Sequence, residues 1–161
     1  MIGVRESSPF AMDVGARYTA DIFLVPEDPL GELPEAELNL RRFCFYRNRA
    51  VIVRVGEKER QLLLFPDVAL TFLELRDAPR QLQWNNRVSL IFPESACRLS
   101  FRPENGTVEC RLEEFGARLD SATCQANLVE TTAALNRLVD EVLAGAVDSG
   151  YLTAEQAEQL A

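Results

Sequence analysis

Histidine is absent from this chain of 161 residues, and lysine occurs once, at Lys58. Without histidine there is no Ser-His or Cys-His nucleophile pair, no imidazole metal ligand and no histidine proton shuttle. Lys58 stands between Glu57 and Glu59, whose negative charges favour a protonated lysine rather than a neutral, reactive one. We therefore predict that the protein is not an enzyme, and we predict no catalytic residue, no cofactor and no metal site.

The four cysteines form no paired motif. Cys44, Cys97, Cys110 and Cys124 are separated by 53, 13 and 14 residues, which matches neither a CxxC redox pair nor the spacing of zinc ligands. We interpret them as small buried hydrophobic residues in a reducing compartment. If one thiol has a chemical role, Cys97 and Cys124 are favoured, because polar residues flank each of them.

Long apolar runs are also missing. No window approaches the roughly 20 apolar residues that span a bilayer. The first ten residues lack the basic and apolar regions of a secretion signal. We therefore expect no membrane partner and a cytoplasmic location. The sixteen arginines beside one lysine are typical of a GC-rich bacterial genome.

The composition predicts one domain over residues 1–161, since 47% hydrophobic residues suffice for a single core at this length. Residues 119–161 carry seven acids and one arginine, so that six of the eight net negative charges lie in the last quarter of the chain. We predict a partly ordered N-terminal segment (1–17), a β-rich body (18–118) and an acidic helical tail (119–161) packed on that body.

Several runs of β-branched and aromatic residues predict strands within the body. The runs lie at residues 18–25, 38–47, 50–55 and 60–65. Residues 67–77 fit either a strand or a short helix, and we favour the strand. A bulge at the Asn85-Asn86 turn would pair Trp84 with Val88 and Leu82 with Leu90.

The clearest local signal is the Asn105-Gly106 pair between two alternating runs, which predicts a hairpin over residues 96–114 with a two-residue type I′ turn. Pairing around that turn predicts one apolar face and one charged face. The predicted partners are Phe101 with Cys110, Leu99 with Leu112, Arg102 with Glu109, and Arg98 with Glu113.

After Gly116 the apolar period changes from two to about three and a half, which predicts a long amphipathic helix over about 121–147. Thr153 and Gln156 fit a capping box that begins a short terminal helix over 154–160. Together these patterns predict an α+β fold. Its antiparallel sheet or sandwich would have about six to eight strands over residues 18–115, with the long helix across one face.

One stretch, residues 41–49, is both basic and aromatic. Read as a strand, it would place Phe43 and Phe45 beside Arg41 and Arg47, a face that could stack bases. The net charge of −8 argues against a nucleic-acid partner, and so does the acidic loop from Pro26 to Glu37 that precedes this stretch. We predict no nucleic-acid partner. We expect these arginines to bind acids of this chain or of a protein.

We predict a non-catalytic protein-binding protein, of the inhibitor, immunity or chaperone type, with a basic protein partner. The helical tail has one arginine beside seven acids, so its negative charge would attract a basic partner. The candidate binding residues lie in the Pro26–Glu37 loop and on the helical tail: Glu27, Asp28, Glu32, Glu35, Glu37, Glu130, Asp140, Glu141 and Asp148.

Two alternatives stay open. The first is a homodimeric structural or scaffold module that pairs through an apolar helix stripe of Leu128, Leu135, Leu138 and Val142. The second is an enzyme or small-ligand binder that uses the interior of the sheet as a pocket.

Overall fold

The computed structural model of the chain describes residues 8–19, 30–116 and 120–161. In these ranges the fold is α+β, with two antiparallel sheets and seven strands, which confirms the predicted class. The first sheet has the order β1-β2-β3 and the second the order β4-β5-β6-β7. The strands are β1 (Phe10–Arg17), β2 (Arg49–Val55), β3 (Lys58–Leu63), β4 (Val88–Phe92), β5 (Cys97–Glu104), β6 (Thr107–Glu114) and β7 (Asp120–Asn127).

The helices occupy the connections and the C-terminal part of the chain. They are α1 (Glu35–Tyr46), α2 (Phe72–Gln83), α3 (Leu128–Asp148) and α4 (Ala154–Leu160). An irregular turn over Leu64–Val68, in which the backbone of Phe65 is extended and the peptide bond between Phe65 and Pro66 is cis, links β3 to the segment before α2. Within the described ranges no helix combines the length and the apolar character that a membrane crossing requires.

The predicted hairpin is confirmed in every pair. Strands β5 and β6 meet at Asn105-Gly106, both with positive φ, as a type I′ turn requires. The register sets Leu99 opposite Leu112 and Arg102 opposite Glu109, with Phe101 opposite Cys110 and Arg98 opposite Glu113. The apolar face of the hairpin therefore points to the core and the charged face to solvent.

The two C-terminal helices are confirmed, but the first begins later than predicted. Residues 120–127 form β7, in which Ala122, Cys124 and Ala126 alternate toward the inner side of the sheet. These side chains are small, so their period of two is weak in the sequence. Asn127 then caps α3 by accepting a hydrogen bond from the Glu130 amide at 3.1 Å. The Thr153–Gln156 capping box is present at the start of α4.

The prediction of a strand over 38–47 is wrong, because this segment lies in α1. The apolar residues recur at helical spacing and their side chains form one buried face: Ala36, Leu40, Phe43 and Cys44. Pro34 directly precedes the helix, and Glu35 and Glu37 lie in its first turn, where the helix dipole favours acids. These signals outweigh the short alternation of Phe43 and Phe45.

The strand favoured over 67–77 is also wrong. Residues 72–83 form α2, which buries Phe72, Leu75, Ala78 and Leu82. Leu82 therefore pairs with no strand, and Trp84 is exposed at the C-terminal end of the helix, which overturns the predicted bulge pairing. Leu90 instead lies opposite Leu99 of β5. Leu75, Ala78 and Leu82 follow a helical period that the alternation of Val68, Leu70 and Phe72 obscured.

The first strand also differs from expectation. Most of the strand predicted at 18–25, residues 20–25, lies outside the described residues, and Tyr18 and Thr19 belong to no strand. The first observed strand is β1, inside the segment 1–17 that we expected to be only partly ordered. Phe10 and Met12 are almost fully buried against β2, and this burial explains the order.

One hydrophobic core joins both sheets and all the α-helices. Phe10 of β1 contacts Phe101 of β5 edge to face, with ring centroids 5.2 Å apart. Helices α2 and α3 pack against each other, and α3 also packs along β1. The space between the sheets is filled by buried apolar side chains, so the interior proposed as a ligand pocket is core.

Candidate functional site

The predicted acidic residues do not form one cluster. Glu27 and Asp28 lie outside the described residues. Glu32 is exposed in the segment before α1, and Glu35 is exposed in its first turn. Glu37 lines a small groove of about 160 Å³ between α1 and the residues that lead into α2. These acids therefore lie near the start of α1.

Glu130 lies in a second place, the first turn of α3. It lines a groove of about 430 Å³ between α3 and β1, together with Asp13, Arg54 and Arg137. Asp140 is exposed farther along α3. Neither Glu130 nor Asp140 is among the residues that line the groove described next.

Glu141 and Asp148 are the predicted residues that the fold does bring together with a distinctive surface. Both line a groove of about 350 Å³ between the C-terminal half of α3, the end of β1 and the start of β2. Its apolar lining includes Val14, Leu64 and Val142. We call this the helix end of the groove.

The groove continues into a second part of about 250 Å³, which shares Phe43, Arg49 and Gly145 with the first. Arg17, Arg47 and Ser149 complete its lining. We call this the arginine end. Its three arginines, Arg17, Arg47 and Arg49, are all exposed.

Close packing of α3 on α1 forms the floor of the groove. A Cβ atom at Gly145 would lie 3.0 Å from Cζ of Phe43, so that a glycine allows this approach. Tyr151 contacts the Phe43 ring edge to face, with centroids 5.8 Å apart. The aromatic floor is therefore held from the side of α3 and from the turn after it.

A shift of register in the first sheet brings Arg17 to the groove. Val14 lies opposite Val51 and Arg17 opposite Arg49, so that β1 has one more residue than β2 between these pairs, as at a β-bulge. Without the extra residue Ala16 would face Arg49. Nε of Arg49 donates a hydrogen bond to the Gly15 carbonyl oxygen at 2.7 Å, which ties the arginine to the bulge.

The sequence reasoning missed the arginine end. Residues 41–49 were recognised as basic and aromatic, but a strand reading placed Arg47 beside Phe45 as well as Phe43. Helical spacing sets Arg47 four residues after Phe43, on the same side of α1, and this signal was available. Arg17 had no such signal, because its position depends on the bulge.

The predicted dimer stripe lies in the core of the monomer. Leu135, Leu138 and Val142 are at most 2% exposed, and Leu128 is partly buried against the same core. These side chains are already covered by the chain's own sheets and helices. The apolar stripe therefore gives no basis for a homodimer on this fold.

The cysteines behave as buried hydrophobic residues, with one partial exception. Cys44, Cys97 and Cys110 are fully buried, and Cys124 is half-buried. Burial raises the pKa of Cys97 to about 11 and also raises the pKa of Cys44, Cys110 and Cys124. At neutral pH these groups are thiols, which are weak nucleophiles.

A second polar cluster joins the edges of the two sheets. Lys58 of β3 makes ion pairs with Glu114 of β6, at 3.2 Å, and with Asp120 of β7. The hydrogen bond and the charge of Lys58 lower the pKa of Asp120, and the same contact raises the pKa of Lys58. Asp67 is buried nearby and accepts hydrogen bonds from Ser95 Oγ and the Leu63 amide. This cluster is satisfied mostly from within the fold.

The described ranges contain no group of three or more histidine, cysteine, aspartate or glutamate residues placed to hold a metal ion. Comparison with protein-family models, with curated proteins and with solved structures finds no match to this chain. The groove between α1, α3 and the first sheet is therefore the candidate site on its own geometry.

Proposed function

We propose that this chain is a non-catalytic protein-binding protein, of the inhibitor, immunity or chaperone type, that binds a basic segment of another protein. The helix end of the groove is where that segment binds. There Glu141 and Asp148 line the same groove as Val14, which is half-buried, and Ala144, which is exposed. A lysine or arginine of a partner can lay its alkyl stem along these side chains and bring its charged group to the acids.

The distribution of ion pairs supports this proposal. In the part of the chain that the structure describes, the ion pairs lie on the strands and within α2. None involves an acid of α3 or α4, although these helices carry six: Glu130, Asp140, Glu141, Asp148, Glu155 and Glu158. All six are exposed. Unpaired acids attract a basic partner and speed its association.

The test is affinity capture from a lysate of the source cells, followed by titration of the captured protein at low and high salt. We expect one stoichiometric basic partner whose affinity falls roughly tenfold with Glu141→Gln and Asp148→Gln combined, as expected for the loss of two partly exposed ion pairs. The affinity should also fall as salt rises.

The matched control is the double variant Glu57→Gln and Glu59→Gln. It removes the same charge from the turn after β2 and from the start of β3, at the opposite end of β2 from Arg49. Equal losses for both double variants would show a non-specific charge effect and contradict the proposal. An empty capture, or an affinity indifferent to Glu141 and Asp148, would contradict it as well.

A further inference from the structure

The arginine end of the groove has an excess of positive charge that the fold does not use. Within the described ranges no acidic side chain forms an ion pair with Arg17, Arg47 or Arg49. Arg49 has one side-chain hydrogen bond, to the Gly15 carbonyl oxygen, and it leaves the two terminal nitrogens of the guanidinium free of partners in that region. Those nitrogens are the atoms that bind a carboxylate in a bidentate manner.

Two of the arginines are placed in direct opposition. Arg17 and Arg49 are register partners on neighbouring antiparallel strands, and like charges in that position destabilise a sheet. The opposition results from the extra residue of β1, since an unbroken register would set Ala16 there. A feature that destabilises the free protein and places two arginines in one groove indicates an anion supplied from outside the chain.

The acids of the same groove do not neutralise these arginines. Glu141 and Asp148 line the helix end and Arg49 lines both ends, yet no ion pair joins them. If the groove served only the fold, opposite charges so close together would gain by pairing, as they do on the strands. The charges stay unpaired along one groove, whose two parts share Phe43, Arg49 and Gly145.

We infer that the arginine end binds a carboxylate side chain of the partner segment whose basic residue binds at the helix end. The inferred ligand is thus an extended segment with an acidic and a basic residue on either side of an apolar one. This inference rests on the proposed function and specifies the ligand of the same site. The apolar residue lies on the Phe43 floor.

The acids of the groove favour a carboxylate over a phosphoryl group. The arginine end shares one groove with Glu141 and Asp148, whose negative charges oppose any anion bound there. A phosphoryl group carries nearly two negative charges at neutral pH, and the acids of the same groove oppose the second. Arg47 directly follows α1 and Arg49 begins β2, so that the two arginines lie close to regular structure.

A display library of random short linear peptides tests the inference, with selection on the wild-type protein and on two double variants. Wild type should enrich peptides with an acidic and a basic residue around an apolar residue. Arg17→Gln with Arg47→Gln should lose most of the acidic preference, because two of the three guanidinium groups are removed, and should keep the basic one, because Glu141 and Asp148 remain. Glu141→Gln with Asp148→Gln should show the reverse.

Binding of one selected peptide, measured by fluorescence anisotropy, gives the size of the effect. We expect at least a tenfold loss for Arg17→Gln with Arg47→Gln. The matched control is Arg80→Gln with Arg87→Gln, two exposed arginines without an ion pair in the described ranges, and it should bind like wild type.

The two proposals fail in different ways. Wild-type peptides that are basic and apolar only, or an acidic preference that survives Arg17→Gln with Arg47→Gln, would overturn the carboxylate inference and leave the basic partner in place. An acidic preference without a basic one would overturn the proposed function, and no enrichment would overturn both. Arginine Nε–H NMR signals that shift with inorganic phosphate and not with acetate would reassign the site to phosphoryl groups.

Discussion

The charged face of the β5–β6 hairpin and the arginine end of the groove use the same kind of residue in opposite ways. On the hairpin Arg98 lies opposite Glu113, and Arg102 lies opposite Glu109 with an ion pair at 3.0 Å. In the groove Arg17 faces Arg49. Cross-strand pairs of opposite charge stabilise a sheet, whereas like charges destabilise it. The fold itself supplies the partners of the hairpin charges, whereas we assign the partner of the groove arginines to another protein.

The comparison requires that both regions belong to one cooperative fold. Leu135 is fully buried in the core that joins the sheets to α3. We expect Leu135→Ala to lower the free energy of unfolding by about 2–5 kcal/mol, in a single transition seen by circular dichroism and by Trp84 fluorescence. The exposed neighbour Asn136→Ala should stay within about 0.5 kcal/mol of wild type. Two separate transitions would show that the regions are independent and that the comparison does not hold.

The next effect concerns the floor of the groove. Gly145→Val should lower the free energy of unfolding by about 1–3 kcal/mol, because the new side chain would overlap the Phe43 ring, already 3.0 Å from a Cβ position. Urea denaturation measures the change. Gly116→Ala is the control, since nothing lies within 4 Å of a Cβ there. If Gly145→Val is as stable as wild type, the close packing of α1 on α3 does not shape the floor.

The comparison of charges is tested directly by a pair of equal substitutions. Arg17→Gln removes one of two opposed arginines, so we expect it to stabilise the protein by about 0.2–1 kcal/mol. Arg102→Gln removes the partner of Glu109 and should destabilise the hairpin by a similar amount. Both effects should shrink at high salt. Changes of the same sign in urea denaturation would contradict the contrast between the two regions.

The smallest effect comes from the ion pair between Lys58 and Asp120, which shows how a paired charge depends on pH. The pKa of Asp120 is lowered in the folded state. Its contribution to the free energy of unfolding is therefore present above the pKa of the unfolded chain, which is about 4, and is lost as pH falls below that value. The pKa of Lys58 is raised, so its contribution is lost only as pH rises beyond its unfolded value of about 10.4.

Urea midpoints of wild type and Asp120→Asn, measured across pH, show how much the ion pair stabilises the protein at each pH. We expect the midpoint of Asp120→Asn to lie below that of wild type at neutral pH and the two midpoints to agree at both extremes of pH. For Arg17→Gln, the difference from wild type should stay constant through the acid range, because no acid of the described ranges pairs with that arginine. A difference for Asp120→Asn that persists at low pH would mean that the ion pair is not its cause.

The correct predictions were those that depend on neighbours in the chain. The Asn105-Gly106 turn set the hairpin register, and Thr153 with Gln156 set the start of α4. The errors fell where two periods compete over a few residues, as in 38–47 and 67–77, where short alternations hid helical faces. In β7 the inward residues Ala122, Cys124 and Ala126 are too small to reveal their period.

The candidate site could be predicted only in part. The sequence predicts Glu141 and Asp148 as binding acids of the helical tail, but it does not separate them from Asp140, and only the fold shows that these two line one groove. The stripe with Leu135 and Leu138 was identified as apolar, yet whether it faced its own sheets or a second chain depended on where the sheets lie. Burial in the monomer decided this.

The sequence by itself determined the class of fold, the hairpin register, the helix caps and the excess of acid in the C-terminal part, because each depends on composition or on residues a few positions apart. The tertiary structure alone decided the groove. Arg17, Phe43 and Gly145 are far apart in the chain and meet through the bulge of β1 and the packing of α3 on α1. No local sequence pattern predicts that these residues share a surface, because long-range packing determines which side chains do.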